Sequence, residues 1–184
     1  MTDAADDKTL PDPSARLEAA FRAIEVRMRG LPFVNPSIRI EAVGFAPWKS
    51  YWLGVMVTPW SMNLVLVARD PGGWRSLAIG EKRRYVFPAG NYDFVSACDP
   101  VIGEYFVCSL FSPMLEFSDH ATAVETARVA RMALLDAAHA ETPQGEQAAA
   151  RPDEPGPLAQ IAATFHAPLS RRDLFHGRFR GGDR

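Results

Sequence analysis

The sequence predicts an α+β domain: a mostly antiparallel sheet of about five to seven strands, with an N-terminal and a C-terminal helix packed on one face and a flexible C-terminal tail. The periodicity of apolar residues carries this prediction. It is helical near the start, alternating or continuous through the middle, and helical again after residue 118. Helices at both ends of a run of strands favour helices packed against an antiparallel sheet.

The first predicted helix begins near Asp12 and ends before Gly30. Asp12 can cap the helix, Pro13 suits the first helical position, and Gly30 is a natural stop. Four apolar residues then fall on one face at helical spacing: Leu17, Phe21, Ile24 and Met28.

The middle of the chain is predicted to form strands separated by turns. Tyr51–Val57 and Met62–Ala68 are apolar on both faces, which is typical of central strands that are covered on both sides. A membrane helix over residues 51–68 is the alternative for this uncharged stretch, but it is barely long enough and Pro59 and Asn63 interrupt it. We therefore expect two strands, a soluble protein and no membrane insertion.

The composition divides the chain into four parts. Residues 1–11 are acidic and without apolar period, which predicts a disordered N-terminus, and residues 12–140 are the α+β domain. Its last helix is predicted over residues 118–139. Residues 141–157 are rich in Pro, Gly and Glu and form a flexible linker, and residues 158–184 form a basic tail. The tail begins with a short amphipathic stretch: Leu158, Ile161, Ala162 and Phe165.

Composition also excludes several functions. The formal net charge of -2 argues against nucleic-acid binding. The two cysteines, Cys98 and Cys108, suit a reducing compartment, and neither is part of a Cys-x-x-Cys motif. We expect no metal and no cofactor. A thiol-dependent enzyme that uses Cys108, paired on paper with His120, is the catalytic alternative, and it requires a lowered pKa for the thiol.

Aromatic and Met residues concentrate near prolines, where the chain changes direction. Any one of them is more often an ordinary core residue. As a group they are typical anchors for a bound peptide or helix. The residues expected to contact a partner are Trp60, Met62, Asn63, Phe87, Phe111 and Met114.

The tail contains a sequence motif that is typical of an N-terminal export signal. Ser170, Arg171 and Arg172, followed after Asp173 by Leu174 and Phe175, match the start of a twin-arginine export signal. Such a signal stands at an N-terminus with a long apolar run behind it, and here neither condition holds. The alternatives are an autoinhibitory mimic, a docking peptide and coincidence.

Four segments carry a family likeness: "RMRGLPFVNPSIRIEAVGFAPW", "WLGVMVTPWSMNLVLV", "KRRYVFPAGNYDF" and "YFVCSLFSPMLEFSD". Together, over about residues 17–135, they resemble the HybE-type [NiFe]-hydrogenase assembly chaperones, also called the HupJ or HoxT group.

The resemblance implies a cytoplasmic, non-catalytic maturation factor. Its partner would be the hydrogenase small subunit, which carries a twin-arginine signal peptide, before export. It also implies a separate rubredoxin and other maturation proteins as further partners. A scaffold subunit that contacts only other accessory proteins is the alternative. An open-edged sheet is compatible with a homodimer.

Overall fold

The structure is a computed structural model, which describes residues 10–70 and 75–139. Two α-helices flank six strands in chain order, and a short 3₁₀ turn, Ala137–His139, follows the second helix. The elements are α1 (Ser14–Met28), β1 (Glu41–Trp48), β2 (Tyr51–Val57), β3 (Met62–Ala68), β4 (Lys82–Phe87), β5 (Gly90–Asp99), β6 (Gly103–Phe111) and α2 (His120–Leu134).

The six strands form one sheet in the order β1-β2-β3-β6-β5-β4, and every neighbouring pair is antiparallel. The predicted fold class is confirmed. The uncharged stretch forms β2 and β3 joined by a turn, as predicted, and within the described part of the chain no helix has the length and apolar character needed to cross a bilayer.

The antiparallel register brings distant parts of the chain to one end of the sheet. Val57 pairs with Met62 across the β2–β3 turn, and Met62 pairs in turn with Phe111 at the end of β6. Phe87 pairs with Gly90 in the β4–β5 hairpin at this same end. The β5–β6 hairpin lies at the opposite end, which follows from the pairing of Asp99 with Gly103.

The two helices lie on opposite faces of the sheet, so the prediction that both pack on one face is wrong. Leu53 and Leu64 belong to the core that includes the buried side of α2. Met56 and Val65 belong to a second core that includes the buried side of α1. Because side chains alternate along a strand, central strands that are apolar on both faces need a layer on each side.

The edge strands approach each other over the α2 face. The rings of Trp48 in β1 and Phe87 in β4 stack with their centroids 4.2 Å apart. The ring of Tyr85 meets Trp48 at 6.4 Å and Tyr51 at 5.5 Å. Burial raises the pKa of the Tyr85 hydroxyl far above its usual range. This aromatic cluster closes the core that α2 leaves uncovered.

Three of the four helix ends lie close to their predicted positions, but α2 ends at Leu134 and not at residue 139. A side-chain oxygen of Asp12 accepts the backbone N–H of Ser14 at 2.8 Å, and Gly30 takes a positive φ of 82° just past the end of α1. The start of α2 is capped by Asp119, one residue later than Ser118, and its carboxylate accepts the N–H of Thr122 at 2.8 Å.

Candidate functional site

Asn35 joins three loops at the end of the sheet where β2 and β3 turn. Its amide Nδ2 donates to the carbonyl oxygens of Met114 and Phe117, at 2.9 and 2.8 Å. Its backbone N–H donates to the carbonyl of Pro59 at 2.8 Å, and its Oδ1 accepts the N–H of Ser37 at 2.9 Å. Since Asn35 is buried, these bonds replace water that the amide would otherwise hold.

The turn between β2 and β3 is held by its own side chains. The buried Thr58 hydroxyl donates to the carbonyl of Ser61 at 2.7 Å and accepts the Ser61 N–H at 2.9 Å. Asn63 Nδ2 donates to the Ser61 hydroxyl at 3.0 Å. These bonds fix the carbonyl of Pro59 where Asn35 reaches it.

The loop after β6 is anchored by two side chains that pack in the core. Met114 and Phe117 are buried in the α2-side core, and the ring of Phe117 meets Phe111 edge-on at 5.2 Å. The peptide bond between Ser112 and Pro113 is cis. Between the buried residues Met114 and Phe117, Leu115 is 54% exposed.

The outer side of these loops is apolar. Leu31 and Phe33 precede Asn35 and are 39% and 40% exposed, while Leu115 lies between the two residues whose carbonyls Asn35 binds. We call Leu31, Phe33 and Leu115 the loop surface. Large apolar side chains this exposed near one another are typical of an interaction site.

A cleft of about 390 Å³ adjoins the loop surface. Its walls include Glu25 and Arg29 at the end of α1, Leu31 and Val34 in the following loop, and Pro59 in the β2–β3 turn. Apolar side chains thus stand next to one acidic and one basic side chain, an arrangement that suits a peptide with both apolar and charged residues.

The six residues predicted to contact a partner fall into two groups. Met62, Phe87 and Met114 are buried, at 0%, 3% and 0% exposure, and pack in the α2-side core. The other three are half-buried at or near the end of the sheet that carries the loop surface: Trp60, Asn63 and Phe111. The buried three therefore offer almost no surface for a partner in this structure.

Sequence reasoning missed Leu31, Phe33 and Leu115. A signal was present, because Leu31 and Phe33 flank Pro32 just as Met114 follows Pro113. The rule that selected aromatic and Met residues beside prolines applies equally to this loop. Asn35 was missed because nothing in its neighbours shows that two carbonyl groups 79 and 82 residues away need a donor.

The thiol alternative finds an unfavourable environment. Cys108 is half-buried in β6, and burial raises the pKa of its thiol to about 11, with a smaller contribution from Asp93. A catalytic thiol needs a shift in the other direction. His120 is engaged elsewhere: its Nδ1 accepts the N–H of Arg39 at 3.2 Å, so Nε2 carries the proton and donates to Glu41 at 2.9 Å.

The remaining site predictions have different outcomes. Within residues 10–70 and 75–139, no three His, Cys, Asp or Glu side chains cluster as metal ligands. Cys98 and Cys108 form no disulfide bond. In the β5–β6 ladder the residue opposite Cys98 is Glu104. The tail motif of Ser170, Arg171, Arg172, Leu174 and Phe175 lies outside the described residues.

Comparison with known proteins places residues 12–177 in a family described as "[NiFe]-hydrogenase assembly, chaperone, HybE". The chain is 37% identical over 162 residues to the hydrogenase expression/formation protein HupJ of Bradyrhizobium diazoefficiens, covering 88% of this chain and 85% of that protein. It is 38% identical over 122 residues to a Rhodobacter capsulatus protein named probable rubredoxin HupJ. That alignment covers 66% of this chain and only 44% of the relative.

A solved structure has the same fold. The solution structure of HybE from Escherichia coli aligns with a TM-score of 0.55 at 25% sequence identity. The alignment covers 78% of this chain and 89% of that chain. The arrangement of sheet and helices described above is therefore similar to that of an experimentally determined structure.

Replacing Asn35 tests its role in joining the loops. Asn35→Ala leaves the carbonyls of Met114 and Phe117 without their donor, so we expect the free energy of unfolding to fall by about 2–4 kcal/mol. Asn91→Ala, at an exposed position, is the control and should change it by less than about 0.5 kcal/mol. Urea denaturation measures both, and an Asn35→Ala value as small as the control's would contradict this role.

Alkylation kinetics test the environment of Cys108. With a pKa of about 11, roughly one thiol in a thousand is ionised at pH 8. Iodoacetamide should therefore label the exposed Cys98 first, and the rate at Cys108 should rise about tenfold per pH unit between pH 7 and 9. Mass spectrometry after digestion with a glutamate-specific protease, which can cleave at Glu104 between the two cysteines, follows each site. If the alkylation rate at Cys108 does not change with pH above 7, the thiol is already ionised, and this result would support the thiol-dependent enzyme.

Proposed function

This chain belongs to the HybE family of [NiFe]-hydrogenase assembly chaperones, and from that premise we propose that it binds the hydrogenase small subunit, including its twin-arginine signal peptide, before export. It acts by binding, without a catalytic step, and does so in the cytoplasm, where the client is folded. Several relatives carry names that refer to hydrogenase expression or formation or to a hydrogenase operon, which supports the maturation role.

One observation carries the proposal: the loop surface beside the cleft. A twin-arginine signal combines two guanidinium groups with a following apolar run. Leu31, Phe33 and Leu115 offer exposed apolar area to the run, and each such contact removes apolar area from water. Glu25 on the cleft wall and the exposed Glu116 offer carboxylates to the guanidinium groups. The surface therefore matches both halves of such a peptide.

The proposed partners extend beyond the small subunit. The relative named probable rubredoxin is more than twice as long as the part that this chain matches, and this sequence holds two cysteines in all. A Cys₄ iron site cannot be built from two thiols, so a rubredoxin would be a separate partner. Other maturation proteins are further candidates. A homodimer would form through the edge strands β1 and β4.

Substitutions on the loop surface test the site. Phe33→Asp and Leu115→Asp place a carboxylate where the apolar run would pack, so we expect the Kd for a synthetic twin-arginine signal peptide to rise at least about tenfold. Val101→Asp, in the β5–β6 hairpin at the opposite end of the sheet, is the matched control. Fluorescence anisotropy with a labelled peptide gives each Kd.

Two results would overturn this assignment. One is an unchanged Kd for both loop-surface variants. The other is an equal loss in Val101→Asp, which would show a general effect of negative charge instead of a site. A peptide with both Arg replaced by Lys measures the guanidinium contribution separately, because Lys cannot bind a carboxylate in the bidentate manner.

The tail motif is part of the same proposal. We propose that residues 170–175 imitate the client's signal and occupy its site until a tighter client displaces them. Deleting residues 168–184 should then lower the Kd for the signal peptide, because a tethered competitor is removed. Titration of the full chain and of the shortened chain with one peptide compares them. An unchanged or weaker affinity after the deletion would remove autoinhibition.

A further inference from the structure

The two edges of the sheet differ in what surrounds their outward backbone groups. An edge strand has one row of N–H and C=O groups that no neighbouring strand pairs, and such a row can pair with an added strand. In the order β1-β2-β3-β6-β5-β4, the two edges are β1 and β4. The local structure along each edge decides which of them can accept a further strand.

Three features block the edge formed by β1. A carboxylate oxygen of Glu18 in α1 accepts the outward N–H of Ala42 at 3.1 Å. The register with β2 shifts between Val43 and Ala46, so the strand is irregular there. Pro47 follows and has no N–H to donate. A strand added beside β1 would therefore lose most of its main-chain hydrogen bonds.

The outward groups of β4 are assigned from its pairing with β5. The carbonyl of Glu81 accepts the N–H of Ser96 at 2.8 Å, and the pairing of β4 with β5 continues from there without a shift. Because backbone groups alternate in direction along a strand, those of Lys82, Arg84 and Val86 point away from β5. No side chain or loop in the part of the chain that the structure describes bonds to them. We call these N–H and C=O groups the β4 edge.

The β4 edge is accessible and complete. Lys82 and Arg84 are exposed, and the side chain of Val86 is 64% exposed. The strand Lys82–Phe87 contains neither Pro nor Gly, so every outward residue keeps its N–H donor. An extended segment placed beside β4 could therefore form a regular ladder.

The charge along β4 determines which segment the edge accepts. Arg84 is already paired with Asp93, with Nε 2.8 Å from Oδ1. Arg83 donates to the neutral carbonyl of Arg75 at 2.9 Å, which leaves its charge uncompensated. No carboxylate within residues 10–70 and 75–139 forms an ion pair with Lys82 or Arg83. Two positive charges therefore remain for a partner.

These two charges favour an acidic segment over a second copy of this chain. Antiparallel pairing of two β4 strands would bring the basic residues 82–84 of both copies close together, and like charges on paired strands are destabilising. Pairing with β1 of a second copy would meet the blocked β1 edge. Carboxylates beside Lys82 and Arg83 would instead be attracted. A twin-arginine signal is itself basic, so this inference does not rest on the proposed function.

We propose that the β4 edge pairs with an extended acidic segment of a partner protein, which adds a strand to the six-stranded sheet. The main-chain groups of Lys82, Arg84 and Val86 supply the hydrogen bonds. Two adjacent carboxylates of the segment lie beside Lys82 and Arg83, one on each face of the sheet, because successive side chains alternate. An apolar side chain of the segment lies beside Val86.

Amide exchange measured by NMR on the full-length protein tests the pairing. In the free protein the outward amides of Lys82, Arg84 and Val86 should exchange fast, while those of Arg83 and Tyr85 should be protected by the ladder with β5. The probe is a synthetic peptide in which Val, Thr, Thr, Glu and Glu follow one another. At high concentration it should slow the outward amides at least about tenfold. The same peptide with Lys in place of both Glu should leave them fast.

Two substitutions separate main-chain pairing from side-chain contact. Val86→Pro removes an N–H that β5 does not use, so the domain should stay folded while the Kd for the labelled acidic peptide rises at least about tenfold. Val86→Thr keeps the N–H and should change that Kd by less than about threefold. Fluorescence anisotropy gives each Kd. Methylating alternate amides of the peptide makes the same comparison on the unmodified protein, because only the set that faces β4 should abolish binding.

The proposal fails on any of three results. In the first, the outward amides stay fast at the highest soluble concentration of the acidic peptide. In the second, both methylated peptides bind equally, which would mean contact through side chains alone. In the third, the outward amides are already protected in the free protein. Protection that rises with protein concentration would make the occupant a second copy, and protection independent of concentration would make it a segment of the same chain. Protection by the acidic peptide that is lost in Val86→Pro supports the proposal.

Discussion

The amide of Asn35 is the constraint on which the end of the sheet that carries the loop surface depends. Its two hydrogen bonds to Met114 and Phe117, with the backbone bond to Pro59, hold three loops in one arrangement although they are far apart in sequence. A buried amide with all its partners is specific, because a shift of any one loop would leave a polar group without water or partner. The loop surface exists in one form for that reason.

The core supports this end of the molecule without forming part of its surface. Met62 and Met114 are fully buried, and Phe87 is held in the stack against Trp48. Because a rigid core lies beneath the loops, binding needs to order fewer loop residues. The entropy cost of binding is then smaller, and more of the free energy of the contacts appears as affinity. The family is one of assembly chaperones, and an exposed apolar surface at ordered loops is what the proposed client contact requires.

Local patterns predicted the elements, and long-range contacts decided the rest. The two helices and the pair β2 and β3 followed from periodicity and from stops such as Gly30. Strands that are apolar on both faces need a covering layer on each side of the sheet. The expectation that both helices pack on one face did not take this requirement into account. Burial of Met62 could not be read from its neighbours, because the same residue type serves cores and binding surfaces. The role of Asn35 depends on tertiary pairing that no local pattern records.

The most direct test is to map the backbone amide chemical shifts of the full-length protein as the small-subunit signal peptide is added. If the loop surface receives the client, the shifts should concentrate in residues 29–38, 58–61 and 112–118, the three segments that Asn35 and the cleft bring together. Changes centred on the β5–β6 hairpin, or no changes at a saturating peptide concentration, would contradict the account.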